Sequence, residues 1–325
     1  MTEQLRRFDA SFVGLTILDI SGRPVRGIPE GGNVEFIDEI RLNPAGTAAG
    51  ALMNGAKLGL KCRAVACVGQ DEKGDFITDY YGRLSDKSEG IICCEHMQRV
   101  SEKQTSATIL PIRPNGERPA LHQRGASDKL FIKEADFPAV CDAKVLHHGG
   151  TGLLEDMDLS GQSAKLLAYA KEKGVITTLD LIAPNDKTLD LLKPLLPNVD
   201  YFMPSMEEAL QISKQETPEE ACKFFMDLGA RACILKWGAN GSFVKTADDE
   251  FRMPAFRVDV KDTTGCGDAY CGGFVAGICK GMNVKEACQL GTATSGLVAT
   301  GLGSDAGVVN YEATQRFVET AEILP

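Results

Sequence analysis

No stretch of the 325-residue chain approaches the roughly 18 consecutive apolar residues that a membrane span needs. The N-terminal segment MTEQLRRFDA has no apolar core of the kind a secretory signal carries. Cysteines are present, eleven of them, but none forms a C-x-x-C pair and their number is odd. Several, such as Cys67, Cys233 and Cys279, sit in apolar segments. They read as reduced cytoplasmic thiols used as small core residues, not as a disulfide framework or zinc ligands. There is no G-x-x-x-x-G-K-[ST] phosphate loop, no G-x-S-x-G elbow and no H-E-x-x-H among the four histidines. His147 and His148 are adjacent on a strand-like run and point to opposite faces, which argues against a histidine metal site. Positive charge is in deficit, with a net charge of -10. Long-range repulsion therefore argues against a nucleic-acid or membrane-surface binder. It leaves open a phosphorylated small ligand, because local anion sites are built from backbone N–H groups and a few cations.

What the chain does have is a rhythm. Val145–His148, Val175–Asp180, Tyr201–Met203 and Cys233–Lys236 read as buried strands. Between them Ser163–Lys173, Leu189–Leu196 and Pro218–Leu228 read as helices, the last with Thr217 as N-cap and Pro218 in the first turn. The first half adds strands at Phe12–Leu18 and Cys62–Val68 and helices at Ala48–Leu58 and Asp75–Leu84. Such alternation predicts a three-layer α/β sandwich with a mostly parallel central sheet, formed as one domain over residues 1–325. Two segments depart from it. Gly31–Leu42 and Thr105–His122, the second with an Asn115-Gly116 turn, read as extended hairpin segments. They predict a small β-sheet lid drawn from about 21–44 and 93–125. Ligands of such sheets bind at the C-terminal ends of the parallel strands.

The segment that carries chemistry is Asp262-Thr263-Thr264-Gly265-Cys266-Gly267-Asp268, which follows a strand-like run, Phe256–Val260, and opens a helix at Asp268–Lys280. Backbone N–H groups at such a helix start, unobstructed at Gly265 and Gly267, make an anion cradle that the helix dipole reinforces. Asp268, at the edge of that cradle, either accepts a proton from an attacking hydroxyl or only favours the dipole. The helix is rich in small residues (Ala269, Cys271, Gly272, Gly273, Ala276, Gly277) and so depends on close packing, which would hold its start rigidly.

This segment resembles the second signature of the ribokinase-like, phosphofructokinase-B type carbohydrate kinase family, with Cys266 where alanine is usual. The resemblance runs over essentially the whole chain. Gly14–Asp19 is similar to the family's first strand, which ends in a sugar-contacting aspartate. Ala45 to Gly59 resembles the first signature, with Ala45 for its first glycine and Gly50 at its asparagine position. Val68–Gly74 and Asn115-Gly116-Glu117-Arg118 match family landmarks. Ser205-Met206-Glu207-Glu208 stands at the Asn-x-x-Glu, and Leu235–Gly241 is similar to the strand and glycine turn beside the nucleotide.

The resemblance implies ATP-dependent phosphotransfer to a hydroxyl of a sugar or sugar-like molecule. Asp268 would be the catalytic base, and Gly265, Cys266 and Gly267 the anion hole. Asp19, Gly46 and Gly50 would meet substrate, and Lys236, Gly238, Gly241 and Thr264 the nucleotide. Glu208 would act on Mg2+ through water, and K+ is allowed near Asp262. Lys236 and Glu208 have plainer readings as well, a solvated strand-end lysine and a helix-dipole partner. The resemblance further implies a cytoplasmic homodimer joined through the lid. Two alternatives stand beside the sugar kinase: a nucleoside kinase, disfavoured because the lid offers little stacking surface beyond Phe36, and a catalytically silent ligand-binding relative, against which retention of Asp268 counts.

Overall fold

Strands with alternating contacts to two faces, joined by amphipathic helices, close into layers because each sheet face must be covered. A computed structural model describes residues 6–324. Its strands are β1 (Phe8–Gly14), β2 (Ile17–Arg23), β3 (Glu39–Ala45), β4 (Lys61–Gly69), β5 (Ile91–Val100), β6 (Ala107–Pro111), β7 (Leu121–Gln123), β8 (Ala143–Thr151), β9 (Ile176–Leu181), β10 (Tyr201–Phe202), β11 (Ala232–Lys236), β12 (Ser242–Lys245) and β13 (Glu250–Met253). Its helices are α1 (Thr47–Lys57), α2 (Glu72–Lys87), α3 (Phe137–Val140), α4 (Glu155–Ser160), α5 (Gln162–Glu172), α6 (Thr188–Leu192), α7 (Met206–Ser213), α8 (Pro218–Asp227), α9 (Cys266–Cys279), α10 (Val284–Val298) and α11 (Tyr311–Thr320).

The large sheet runs β13-β12-β11-β10-β9-β8-β1-β4-β5, parallel from β11 to β5 with an antiparallel edge made by β12 and β13. Period-two alternation divides its side chains between two cores. Val13, Val65, Leu146 and Leu235 join Leu166 of α5 and Phe225 of α8 on one face. Phe12, Ala64, Val145 and Ile234 join Leu52 of α1, Phe274 of α9 and Leu290 of α10 on the other. The three-layer α/β sandwich expected from the sequence is the architecture observed. Among the described residues no helix is long and apolar enough to cross a membrane, and all eleven cysteines are free thiols.

The small sheet, β3-β2-β6-β7, has two unlike faces set by register. Asn43, Asp19, Thr108 and His122 are cross-strand neighbours in one row, and Leu42, Ile20, Ile109 and Leu121 form the next. Successive residues point to opposite faces, so the polar row and the aliphatic row lie on opposite sides.

The structure corrects several boundaries. Phe12–Leu18 is not one strand: β1 ends at Gly14, whose φ of 131° turns the chain, and β2 begins at Ile17 in the other sheet. A Cβ on Gly14 would lie 1.9 Å from the Gly149 carbonyl oxygen, so only glycine fits this crossing. Within Gly31–Leu42 only the stretch from Glu39 is strand. Residues 93–100 belong to β5 at the edge of the large sheet, where pairing with β4 is available, so of the segment 93–125 only residues after 106 join β2 and β3 in the small sheet. Phe256–Val260 makes a single bridge, Phe256 to Ile323, and no strand. Leu189–Leu196 is divided into α6 and a 3-10 turn at Leu196–Asn198, because Pro194 and Pro197 cannot donate to a continuing helix.

Candidate active site

The C-terminal ends of the parallel strands, the start of α9 and the polar face of the small sheet surround one cavity of about 860 Å³. Asp19, Gly46, Glu208, Lys236, Gly238, Gly241, Thr264, Gly265, Cys266, Gly267 and Asp268 all line it. Residues up to 249 positions apart in the chain, from Asp19 to Asp268, are thus brought to a single cavity. Gly50 is the exception. It is buried within α1, and a Cβ there would lie 2.6 Å from Asp268 Cβ and 3.0 Å from its Oδ2. Its place in the structure is against the back of Asp268.

Helix α9 begins at Cys266 with Gly265 as N-cap at φ 76°. A side chain at Gly265 would strike Ser304, whose Cβ is 2.5 Å from the position a Cβ would take. The Cys266 N–H donates to the Thr263 carbonyl at 3.3 Å, and the Ala269 N–H to that of Gly265 at 2.8 Å. The amides of Gly267 and Asp268, between these two, make no backbone hydrogen bond outside the helix among the described residues. As first-turn donors they have no partner inside the helix either. With the Gly265 amide, which likewise has no backbone acceptor among the described residues, they are the donors an anion can use; the Cys266 amide, expected in the anion hole, is turned to Thr263. Asp262 fastens the preceding turn, its Oδ1 accepting from the Thr264 N–H at 3.0 Å and Oγ1 at 2.8 Å. Its Oδ2 is buried without a hydrogen-bond partner. Burial and the neighbouring Asp262 charge push the Cys266 thiol up to about 12, so it stays protonated.

Asp268 shares the cavity wall with Asp180, Glu208 and Lys236. Burial pushes its carboxyl up to about 7. Like charges on Asp180, Asp19 and Glu208 add to the rise, and Lys236 opposes it. Asp19 lies on β2 of the small sheet, buried, with Oδ1 lacking a partner. Burial pushes it also up to about 7, against a Thr108 hydrogen bond and the Arg118 charge. Arg118 Nε donates to Thr263 Oγ1 at 3.3 Å, which ties the small sheet's loop to the turn before α9.

Lys236 is neither free nor solvated. Its Nζ donates to Asp180 Oδ2 at 2.6 Å, and a Cβ on Gly267 would lie 3.4 Å from it. Burial works against the ammonium, but Asp180, Cys271 and Glu208 together hold it above the ordinary lysine range. Glu208 completes a capping box at the start of α7: Ser205 Oγ accepts from its N–H, and its Oε2 accepts from the Ser205 N–H at 2.9 Å. Burial and Asp180 raise this carboxyl as well.

Sequence reasoning missed Asp180 and the loop around Ser304. Asp180 closes a predicted strand at its ligand-binding end, a signal that was available. The Ser304 loop has no local signature. It is stitched down by Asn54 Nδ2, which donates to the Ser304 carbonyl at 2.8 Å, and by Asp305, which pairs with Lys57 at 2.8 Å and accepts from the Tyr80 hydroxyl.

No group of three or more metal-binding side chains of the His, Cys, Asp and Glu kind occurs among the described residues. The donors present suit Mg2+ arriving with a nucleotide, since that ion takes one or two carboxylates plus phosphates and water. Glu208 is the carboxylate on the cavity wall placed to serve it, because Asp180 is engaged by Lys236. Glu208 spends only one oxygen on its cap.

Comparison with known proteins agrees with this fold. Among solved structures, Arabidopsis thaliana ribokinase complexed with ribose and ATP superposes with a TM-score of 0.81 at 20% identity, covering 96% of this chain and 99% of that one. A chain from E. coli solved with ATP and Mg2+ gives a TM-score of 0.82 at 22% identity, with the same coverages. By sequence, the 5-dehydro-2-deoxygluconokinase of Clostridium perfringens is 27% identical over 98% of this chain and 94% of its own length. The ribokinase of Haemophilus influenzae is 25% identical over 85% of this chain and 87% of its own. The profile of the pfkB family carbohydrate kinases matches residues 9–309, and the chain belongs to that family.

Proposed function

We propose that the protein transfers the γ-phosphate of ATP to a hydroxyl of a sugar or sugar-like acceptor, with Asp268 as general base. The observation that carries this is that Asp268, the unengaged amides of the α9 start and the partnerless carboxylate oxygen of Asp19 meet at one cavity. An acceptor hydroxyl directed by Asp19 would donate to Asp268, whose proton affinity near pH 7 suits a base. The Gly267 and Asp268 amides would receive the charge of the phosphoryl group in transfer, without reorganising during the step. Gly238 and Gly241 would leave room for the nucleotide, and Thr264 would flank its phosphates. Magnesium held with the nucleotide near Glu208 would supply neutralisation of phosphate charge. K+ would find an oxygen in the partnerless Asp262 Oδ2.

A sugar-like acceptor is favoured over a nucleoside by the lining of the small-sheet end. The small sheet and its β6–β7 loop contribute Ile17, Asp19, Thr108, Leu110, Arg118 and His122 to the lining, and His122 is the one ring among them for a base to stack on. An ATP-consuming reaction and free thiols fit a cytoplasmic setting. The test is ADP release with pentoses, hexoses, sugar acids, sugar phosphates and nucleosides. The expected result is turnover with a sugar or sugar acid that excess chelator abolishes and added Mg2+ restores. Turnover only with nucleosides would reassign the acceptor; turnover in excess chelator would remove the metal; ATP binding without turnover on any acceptor would indicate a silent relative.

The same reading makes the small sheet a lid and a dimer surface. Its outer row leaves Leu42 44%, Ile109 51% and Leu121 63% exposed, with Phe36 at 86%. A contiguous aliphatic row on a sheet face calls for cover, and a second copy supplies the same row. Sedimentation should show a dimer, and Ile109→Arg should shift it to monomer. A monomeric native protein at micromolar concentration refutes the dimer and leaves the chemistry untouched.

A further inference from the structure

The cavity wall holds three carboxylates, Asp180, Glu208 and Asp268, and one ammonium, Lys236. Asp180 sits at the end of β9 and Lys236 at the end of β11, separated by the short strand β10. Their side chains are 1% and 11% exposed and bonded at 2.6 Å. The Cys271 thiol of α9 lies 3.4 Å from Asp180 Oδ2 and 3.7 Å from Lys236 Nζ, closing the pair from below. An ion pair of this geometry usually serves as a staple. This one opens on the phosphate cradle instead: Lys236 lines the cavity and its Nζ lies beneath Gly267.

We propose that Asp180 is a positioning residue, which fixes the Lys236 ammonium beneath Gly267 so that its charge meets the phosphoryl group during transfer. This rests on the phosphotransfer reading above. A lysine stem left to itself samples many rotamers, and ordering it carries an entropic cost that Asp180 meets once, in folding. The pair is neutral overall, so Lys236 meets the developing charge without making the resting site a strong anion trap. Every charged or titratable group facing it is consistent with this. Asp268 and Cys271 come from α9 and Glu208 from α7, while Asp19 on β2 acts on Asp268. His147 on β8 is kept neutral by burial and by the Lys236 charge. Asp268 feels the two members of the pair in opposite senses, raised by Asp180 and lowered by Lys236.

The opposed effects make the test specific. Asp180→Asn, Lys236→Met and the double variant are compared with the wild type on the acceptor found in the screen, after melting curves establish that each is folded. Lys236→Met should lower kcat by about 10²-fold with KM for ATP changed a few-fold at most, the size expected for losing one donor to transition-state charge. The acid limb of its pH–rate profile should move to higher pH. Asp180→Asn should also lower kcat, by about 10-fold or more, while its acid limb moves to lower pH. The double variant should melt close to the wild type, because neutral replacement of both partners leaves no unpaired buried charge. It should remain as slow as Lys236→Met. If Lys236→Met alone fails to fold, the double variant carries the same comparison. A double variant with kcat within a few-fold of the wild type makes the pair a staple and overturns the proposal, as do acid limbs that stay in place in both single variants. Those outcomes, with Asp268→Asn still inactive, overturn the pair alone. Full turnover by Asp268→Asn overturns the reading beneath it.

Discussion

Asp268→Asn is expected to lower kcat by about 10²–10⁴-fold, the range in which a general base contributes. The substitution keeps size and helix-start polarity but removes the proton acceptor. Nucleotide binding, which depends on backbone amides and the helix start, should survive within a few-fold. A rise in KM with kcat preserved would instead assign Asp268 to ground-state binding. The same group sets the pH dependence. Transfer requires ionised Asp268, so activity should rise with pH through about 7, where burial has pushed the carboxyl.

Stability should run the other way. A carboxyl whose folded pKa is raised contributes its full stability below its unfolded value near 4, and that contribution is lost as pH rises through about 7. Asp268→Asn should therefore melt above the wild type at pH 8, and the difference should narrow as pH falls and close below about pH 4. Lower melting of the variant at pH 8 would mean that Asp268 is a structural residue whose partners hold it ionised.

Gly50→Ala is expected to cost about 10²-fold in kcat, although Gly50 does not line the cavity. The added methyl would lie 2.6 Å from Asp268 Cβ, and neither helix can yield easily. On α9, Gly272 already packs against the Ala51 carbonyl of α1, where a Cβ would lie 2.5 Å away. Relief must come from Asp268 itself or from parting the helices, and a displacement near 1 Å at a reacting group has an effect of this size. Overpacking should also destabilise the fold by roughly 1–3 kcal/mol. Measured kcat and KM for both substrates check it. Unchanged kcat in a folded Gly50→Ala would show that Asp268 has freedom the packing does not suggest.

How much of this was legible from the sequence depends on whether a feature is local. The α9 start is local. Two glycines and an acid open a run of small residues, and the cavity residues named from the motifs, apart from Gly50, do line one cavity. Thr217 caps α8 as its sequence suggests, accepting from the Glu220 N–H. The break at Gly14 was not legible, because Leu15-Thr16-Ile17 continues the apolar run and only the Gly149 carbonyl forces the turn. The edge position of β5 depends on pairing with β4, and nothing in its composition distinguishes it from a lid strand. The engagement of Lys236 by Asp180 joins residues 56 positions apart on non-adjacent strands, which no periodicity encodes. Gly50 looked like a substrate contact because its motif neighbours are at the cavity, whereas the helical period turns it towards α9.

The most direct measurement is transfer of label from γ-labelled ATP, in Mg2+, to the acceptor that supports turnover. The account predicts that label appears on a hydroxyl of that sugar-like acceptor at the rate of ADP formation, and that Asp268→Asn abolishes both together. Label released only as inorganic phosphate, or label on the acceptor at an undiminished rate in Asp268→Asn, would contradict it.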